Sequence, residues 1–236
     1  MRRAVRVRAS AVIPALNEEE SIGAVVRSIP ADLVSEVVVV DNGSTDGTAA
    51  RALEAGARVV RAPLRGYGRA CKAGVDAVSP LADVVVFLDG DGSDCPEATG
   101  LLLAPIAAGT HDFVVGSRLR GEREPGSMNG AQLLAGRVAG ACLELLYGVR
   151  YTDMCPFRAI RRDALADLGM REETYGWNLE MQMKAARRGL RILEVPVPHR
   201  RRRGGSSKVS GHLVGTVRAG LRILWTLARV ALERGA

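Results

Sequence analysis

Five short apolar runs, near residues 9–13, 35–41, 57–61, 83–89 and 112–116, alternate with stretches of helical periodicity near 18–28, 46–55, 68–78 and 96–107. Alternation at this spacing predicts an α/β fold, a mostly parallel, Rossmann-like sheet flanked by helices. The runs are rich in valine, as Val37-Val38-Val39-Val40 and Val84-Val85-Val86-Phe87 show, which suits strands covered on both faces. Aromatic residues make up 4% of a chain that is 47% hydrophobic, so Val, Leu, Ala and Ile must fill the interior. The loop Ser117–Ser127 is so charged and glycine-rich that it reads as mobile. Beyond it come a helical pattern through about 147, a strand near 155–160, a helix near 176–188 and a strand over 190–196. No Pro/Ser linker divides the two halves, so residues 1–209 read as one catalytic domain and 210–236 as an amphipathic C-terminal helix.

Two of the apolar runs end in acids. One is followed by Asp41 and the other by Asp89-Gly90-Asp91-Gly92-Ser93-Asp94. In an extended strand Asp89 and Asp91 would point the same way, and their shared negative field calls for a cation. The carboxyl ends of parallel strands border the crevice where α/β sheets bind ligands, so these acids mark the candidate active site. Asp46 and Asp94 are also residues that an ordinary turn would place there.

The formal net charge of +7 is uneven, with acids near this crevice and arginines around 118–137, 184–203 and 218–234. Phosphate is the ligand such charge invites. Nucleic acid is not expected, because tyrosine and phenylalanine are too sparse and scattered for a stacking platform. Four separated cysteines without a CxxC pair exclude a zinc knuckle or a disulfide framework and suit a reducing cytoplasm. The arginine-rich start leads into no convincing signal-peptide core. His111, His199 and His212 lack metal-ligand spacing. Gly66-Tyr67-Gly68 is a poor dinucleotide fingerprint, since the first strand runs into Pro14-Ala15-Leu16-Asn17 with no glycine, and no P-loop occurs.

The order of Val12-Ile13-Pro14-Ala15-Leu16-Asn17-Glu18-Glu19, Asp41-Asn42-Gly43-Ser44-Thr45-Asp46-Gly47, Gly66-Tyr67-Gly68, Phe87-Leu88-Asp89-Gly90-Asp91-Gly92, Val115-Gly116-Ser117-Arg118 and Ser207-Lys208 resembles the inverting glycosyltransferases of family 2, with the GT-A fold. Within them it is similar to the polyprenyl-phosphate (dolichyl-phosphate) hexosyltransferases. The resemblance implies transfer of a hexose from a UDP- or GDP-hexose to a polyprenyl phosphate, with inversion and release of a nucleoside diphosphate. It implies Pro14, Asn17, Glu18, Asp41, Gly68 and Gly90 around the nucleotide sugar, and Asp89 and Asp91 as the DxD pair holding Mg2+ or Mn2+. Ser93 departs from the Gln that mannose-transferring relatives often carry. Glu180 is a candidate catalytic acid through Trp177-Asn178-Leu179-Glu180, and its other reading is a glutamate of an ordinary helix.

Arg118, Arg137, Arg202 and Lys208 are the candidate acceptor-phosphate ligands, with Arg118 also placed at the chemistry. A lipid monophosphate is already an anionic nucleophile, so positioning and charge neutralisation would carry much of the reaction. In the helix from Leu213 to Glu233, the residues Arg218, Arg222, Arg229 and Glu233 share a narrow face opposite Leu221, Leu224, Trp225 and Leu232. That pattern predicts an interfacial helix at the inner face of the cell membrane, or a homodimer contact, or a helix packed on its own domain. The other functions left open are a family 2 transferase with a soluble or polysaccharide acceptor, a sugar-phosphate nucleotidyltransferase, and a non-catalytic membrane-associated scaffold.

Overall fold

A computed structural model describes residues 7–204 and 213–233, with only the backbone given for residue 131 and for 213–219. Seven strands form one sheet in the order β3-β2-β1-β4-β6-β5-β7. They are β1 (Ala9–Ala15), β2 (Val34–Asp41), β3 (Arg58–Arg61), β4 (Val84–Phe87), β5 (Phe113–Ser117), β6 (Arg158–Arg161) and β7 (Ile192–Pro196). All pairs are parallel except those of β6, which runs antiparallel between β4 and β5. Every residue of β1 and β4 is buried, as unbroken apolar central strands require.

The covering helices are α1 (Ile22–Ser28), α2 (Thr48–Glu54), α3 (Tyr67–Ala77), α4 (Thr99–Ala107), α5 (Gly130–Tyr147), α6 (Arg162–Leu168), α7 (Trp177–Arg187) and α8 (Leu213–Leu232). The start of α5 is fixed by a reciprocal cap in which Asn129 Oδ1 accepts from Gln132 N–H and Gln132 Oε1 accepts from Asn129 N–H, each at 2.9 Å. Gly148, in the left-handed region at φ 68°, ends it. The α/β fold expected from the alternation is the fold observed.

Three local expectations need correction. β4 stops at Phe87, so Asp89 and Asp91 stand in a turn beyond the strand, and no strand alternation aligns them. The loop after β5 is laced down. His199 N–H donates to Glu122 C=O at 2.9 Å, Glu124 N–H to His199 C=O at 2.9 Å, and Arg201 N–H to Glu124 Oε2 at 2.7 Å. Two of these bonds join backbone groups and the third uses the Glu124 carboxylate, contacts with a distant segment that composition does not reveal.

The third correction concerns α8. Its cationic face turns inward onto the catalytic body: Arg222 Nε lies 2.9 Å from Glu172 Oε1, and Arg229 Nη2 lies 2.9 Å from Glu180 Oε1. Both guanidinium groups flank the Trp225 ring, at 4.3 and 5.0 Å from its centroid. The charges expected to meet lipid phosphate are thus taken up by carboxylates of the same chain. Leu221, Leu224, Trp225 and Leu232 remain exposed on the outer side. Among the described residues no helix is long and apolar enough to cross a membrane.

Candidate active site

β1 pairs with β2 along its whole length but with β4 only from Ala9 to Val12. The two central strands therefore part at their carboxyl ends, and the order 3-2-1-4 makes this the topological switch point of the sheet. Pro14 lies past the last β1–β4 pair, where its missing N–H costs that ladder nothing.

The loops after β1 and β2 clasp each other across this opening. Asn17 takes the left-handed conformation at φ 53°. Its N–H donates to Ser44 Oγ at 3.0 Å, and its Oδ1 accepts from Thr45 N–H at 2.8 Å. Glu18 N–H donates to Thr48 Oγ1 at 2.8 Å. Asp41 Oδ1 accepts from Ser44 N–H, three residues on, at 2.9 Å, a local bond that fixes its carboxylate at the end of β2. Pro14, Asn17, Glu18 and Asp41 are thereby brought to one rim.

The turn after β4 supplies the other wall. Ser21 Oγ donates to Gly90 C=O at 2.8 Å, tying the turn to the start of α1. Asp91 Oδ1 accepts from both Ser93 N–H, at 2.9 Å, and Ser93 Oγ, at 2.6 Å. Asp89 Oδ1 accepts from the Tyr67 hydroxyl at 3.2 Å, and Asp89 N–H donates to Asp94 Oδ2 at 2.9 Å. Burial, then the negative charges of Asp94 and Asp91, push Asp89 well above the usual carboxylate range. Burial raises Asp94 to about 7 against the lowering pull of the Asp89 N–H. Burial and the facing Asp89 charge raise Tyr67, which remains a donor. His199, buried with Nδ1 3.9 Å from Asp94 Oδ1, is lowered to about 4 by desolvation first and then by Arg118, so it is neutral beside Asp94 near pH 7.

Asp91 and Asp94 both raise Asp89, and the Arg202 guanidinium 3.3 Å from Asp91 Oδ2 offsets only part of this crowded negative charge. Among the described residues no group of three or more His, Cys, Asp or Glu side chains could hold a metal alone. Two hard carboxylates, Asp89 and Asp91, fit a Mg2+ or Mn2+ ion that keeps its remaining positions for water and diphosphate oxygens.

The expected cationic residues are spread more widely. Arg118 forks onto Asp153, with Nε to Oδ2 and Nη2 to Oδ1 both at 2.7 Å. Burial would raise Asp153, but the fork and its charge hold it below the usual carboxylate range. Arg137 is exposed on α5. Arg202 sits between the two walls, paired with Glu18 and with its Nη1 3.3 Å from Asp91 Oδ2. Lys208 lies outside the described residues.

Two of the expected site residues are engaged by contacts within the protein. Glu180 is fully buried and accepts from Arg171 N–H at 3.0 Å, Glu172 N–H at 2.6 Å, and Lys184 Nζ and Arg229 Nη2, both at 2.9 Å. Desolvation would raise it, yet these bonds together lower it, so it is a buried anion whose oxygens are engaged by partners in the same chain. At Gly68 an added Cβ would lie 2.1 Å from the Glu172 carbonyl oxygen, so this glycine serves the contact between α3 and the 172–173 turn. Gly68→Ala is expected to destabilise the fold by about 1–3 kcal/mol, read as a lowered urea midpoint. Tyr67, Asp94 and Asp153 are participants that sequence reasoning did not assign, and only the Gly-Tyr-Gly and Asp-x-Asp-x-x-Asp spacings hinted at the first two.

The sequence model described as "Glycosyl transferase family 2" matches residues 10–169. The chain belongs to glycosyl transferase family 2. A dolichyl-phosphate hexose transferase of Haloferax volcanii is 37% identical over 198 residues, covering 82% of this chain and 83% of that protein. An uncharacterised glycosyltransferase of Mycobacterium tuberculosis is 39% identical over 209 residues, 87% of this chain and 91% of the relative. Glucosyl-3-phosphoglycerate synthase of M. tuberculosis, solved with Mn2+, uridine-diphosphate-glucose and phosphoglyceric acid, is similar at TM-score 0.78 and 27% identity. That likeness covers 98% of this chain and 81% of the synthase chain.

This family 2 protein is a metal-dependent glycosyltransferase with the GT-A fold, so the nucleotidyltransferase and scaffold alternatives fall. The polyprenyl-phosphate acceptor is also corrected. Synthase structures alike along nearly the whole chain carry the soluble phosphoglyceric acid.

Proposed function

We propose that this family 2 enzyme transfers a hexose from a uridine diphosphate sugar to a soluble, anionic acceptor, releasing the nucleoside diphosphate and inverting the anomeric centre. The observation that carries this reading is the switch point of the sheet, beyond which Arg202 bridges Glu18 and Asp91 and the Asn17–Ser44 clasp holds Asp41. The likeness to a synthase solved with uridine-diphosphate-glucose, Mn2+ and phosphoglyceric acid supports the donor, ion and acceptor classes.

In this reading Pro14, Asn17 and Glu18 border the nucleoside. Asp41, with Oδ1 held by Ser44, offers its other oxygen to a ribose hydroxyl. Asp89 and Asp91 hold the divalent ion, which when bound neutralises the leaving diphosphate. Tyr67 and the Asp94 carboxylate orient Asp89. Arg118 has Nε and Nη2 engaged by Asp153, so it contributes charge and its remaining Nη1. Exposed Arg137, Arg201 and Arg203 supply the cationic side that an anionic acceptor requires.

The test is nucleoside diphosphate release from UDP-glucose and GDP-mannose with Mn2+, against 3-phosphoglycerate, sugar phosphates, neutral sugars and a short polyprenyl phosphate. Release stimulated at least tenfold by a soluble phosphorylated acid and not by neutral sugars is the expected result. Stimulation confined to neutral sugars or to the lipid phosphate would reject the proposed acceptor class. Membrane-surface contact or a homodimer would use the exposed outer side of α8 and is separable from acceptor choice.

A further inference from the structure

The segment following β7 runs back over the turn that carries Asp91. Arg200 N–H donates to Ser93 C=O at 2.8 Å and Arg203 N–H donates to Asp91 C=O at 3.0 Å. Gly92, at φ 76°, packs under Arg203, where an added Cβ would lie 3.0 Å from Arg203 Cγ. Between these two backbone anchors the Arg202 side chain enters the crevice. Its Nε donates to Gly204 C=O at 2.7 Å, which aims the guanidinium. One end of the fork pairs with Glu18 on the nucleoside rim, and Nη1 stands 3.3 Å from Asp91 Oδ2.

Asp91 uses its two oxygens differently. Oδ1 is occupied by the Ser93 N–H and hydroxyl, which leaves Oδ2 as the oxygen that faces a cation. That oxygen already has one. A divalent ion approaching it alone must meet or displace a guanidinium of like charge. A nucleoside diphosphate entering with the ion changes this balance, because its phosphates offer the planar guanidinium a two-oxygen partner in place of Asp91.

We propose that Arg202 is the exchangeable counter-ion of Asp91, a positioning residue that makes divalent-ion binding conditional on the nucleotide. Resting on the reading of Asp91 as a metal ligand, the inference adds that metal and nucleotide bind with strong positive coupling. The coupling is reciprocal, so the ion strengthens nucleotide binding by the same factor. The residue expected at the acceptor phosphate thereby acts on the donor side.

The test is Mn2+ binding by the full chain, followed through the EPR signal of the free ion, with and without UDP. Wild type is expected to bind Mn2+ weakly alone and about tenfold or more tightly with UDP, a factor equivalent to about 1.4 kcal/mol. Arg202→Met should tighten nucleotide-free Mn2+ binding by about tenfold and shrink the UDP effect to match. Arg203→Met removes the same charge from the same segment without touching Oδ2 and should change binding less than about twofold. Arg202→Lys keeps a charge but loses the fork; it should fall between, and it carries the test should the methionine variant not fold. Equal tightening by Arg202→Met and Arg203→Met would overturn the proposal in favour of net crevice charge alone. No tightening in Arg202→Met, with binding lost in Asp91→Asn, would overturn it while sparing the metal site. Unchanged Mn2+ binding in Asp91→Asn would remove the metal-site reading and this inference together.

Discussion

Replacing Asp91 with asparagine is expected to lower kcat by about a thousandfold, or about 4 kcal/mol of transition-state stabilisation, while the protein stays folded. The fold should tolerate the change because the asparagine side chain would keep a carbonyl oxygen for the Ser93 N–H and hydroxyl that Asp91 Oδ1 now accepts. What disappears is the charge on the oxygen facing Arg202 at 3.3 Å. An amide there presents donors to a guanidinium and a weaker ligand to a divalent ion, so the neighbouring arginine loses its partner and the ion loses half of its protein charge. Asp89 should respond as well. Part of its upward displacement comes from Asp91, so the substitution lowers Asp89 toward the ordinary carboxylate range without restoring the second ligand. Nucleoside diphosphate release at saturating Mn2+ or Mg2+, beside a urea unfolding curve, measures both halves of the expectation. Near-normal turnover by a folded Asp91→Asn enzyme with every divalent ion tried would take the carboxylate pair out of the chemistry.

Most of the sheet was legible because β1 to β5 lie in short apolar runs, several of them valine-rich, bounded by turn residues, a signal local to a few positions. Helices of the first half emerged within a few residues for the same reason. The antiparallel insertion of β6, and the short α6 that follows it, carry no such local mark: Arg158-Ala159-Ile160-Arg161 acquires its neighbours only from β4 and β5. The acids of the crevice were legible by type and position, but their partners were not. Arg118 finds Asp153 across 35 residues and Arg202 finds Glu18 across 184, and no periodicity connects positions that far apart. Charged stretches read as solvated or lipid-facing proved to be halves of ion pairs whose other halves lay elsewhere. Arg222 and Arg229 of α8 are the clear case, whereas the loop after β5 is held mostly by backbone bonds to the segment after β7.

Glu180→Ala is expected to cost about 3–5 kcal/mol of folding stability, the range for removing one partner of a buried charge pair. The carboxylate is fully buried and bonded to Lys184 Nζ and Arg229 Nη2 at 2.9 Å each, while the Lys184 side chain is only 4% exposed. With Glu180 gone, two cations remain in low-dielectric surroundings and α8 loses one of its two carboxylate anchors on α7 and the preceding turn. At about 2–4 °C per kcal/mol for a chain of this size, the thermal midpoint should fall by about 10 °C. The loss should depend on pH with a definite sign. Because the folded carboxyl is held below its ordinary value, its stabilising contribution is fully present above the unfolded pKa of about 4.3 and fades as pH falls through the folded one. The gap between wild type and variant should therefore be constant near neutrality and close in acid. Well below its unfolding temperature, Glu180→Ala should retain kcat within about tenfold, since the residue reaches the crevice only through the Glu172 turn, α3 and the Tyr67 hydroxyl on Asp89. A thousandfold loss of kcat with an unchanged thermal midpoint would make Glu180 the catalytic acid after all, and would require the turn at Glu172 to open during turnover.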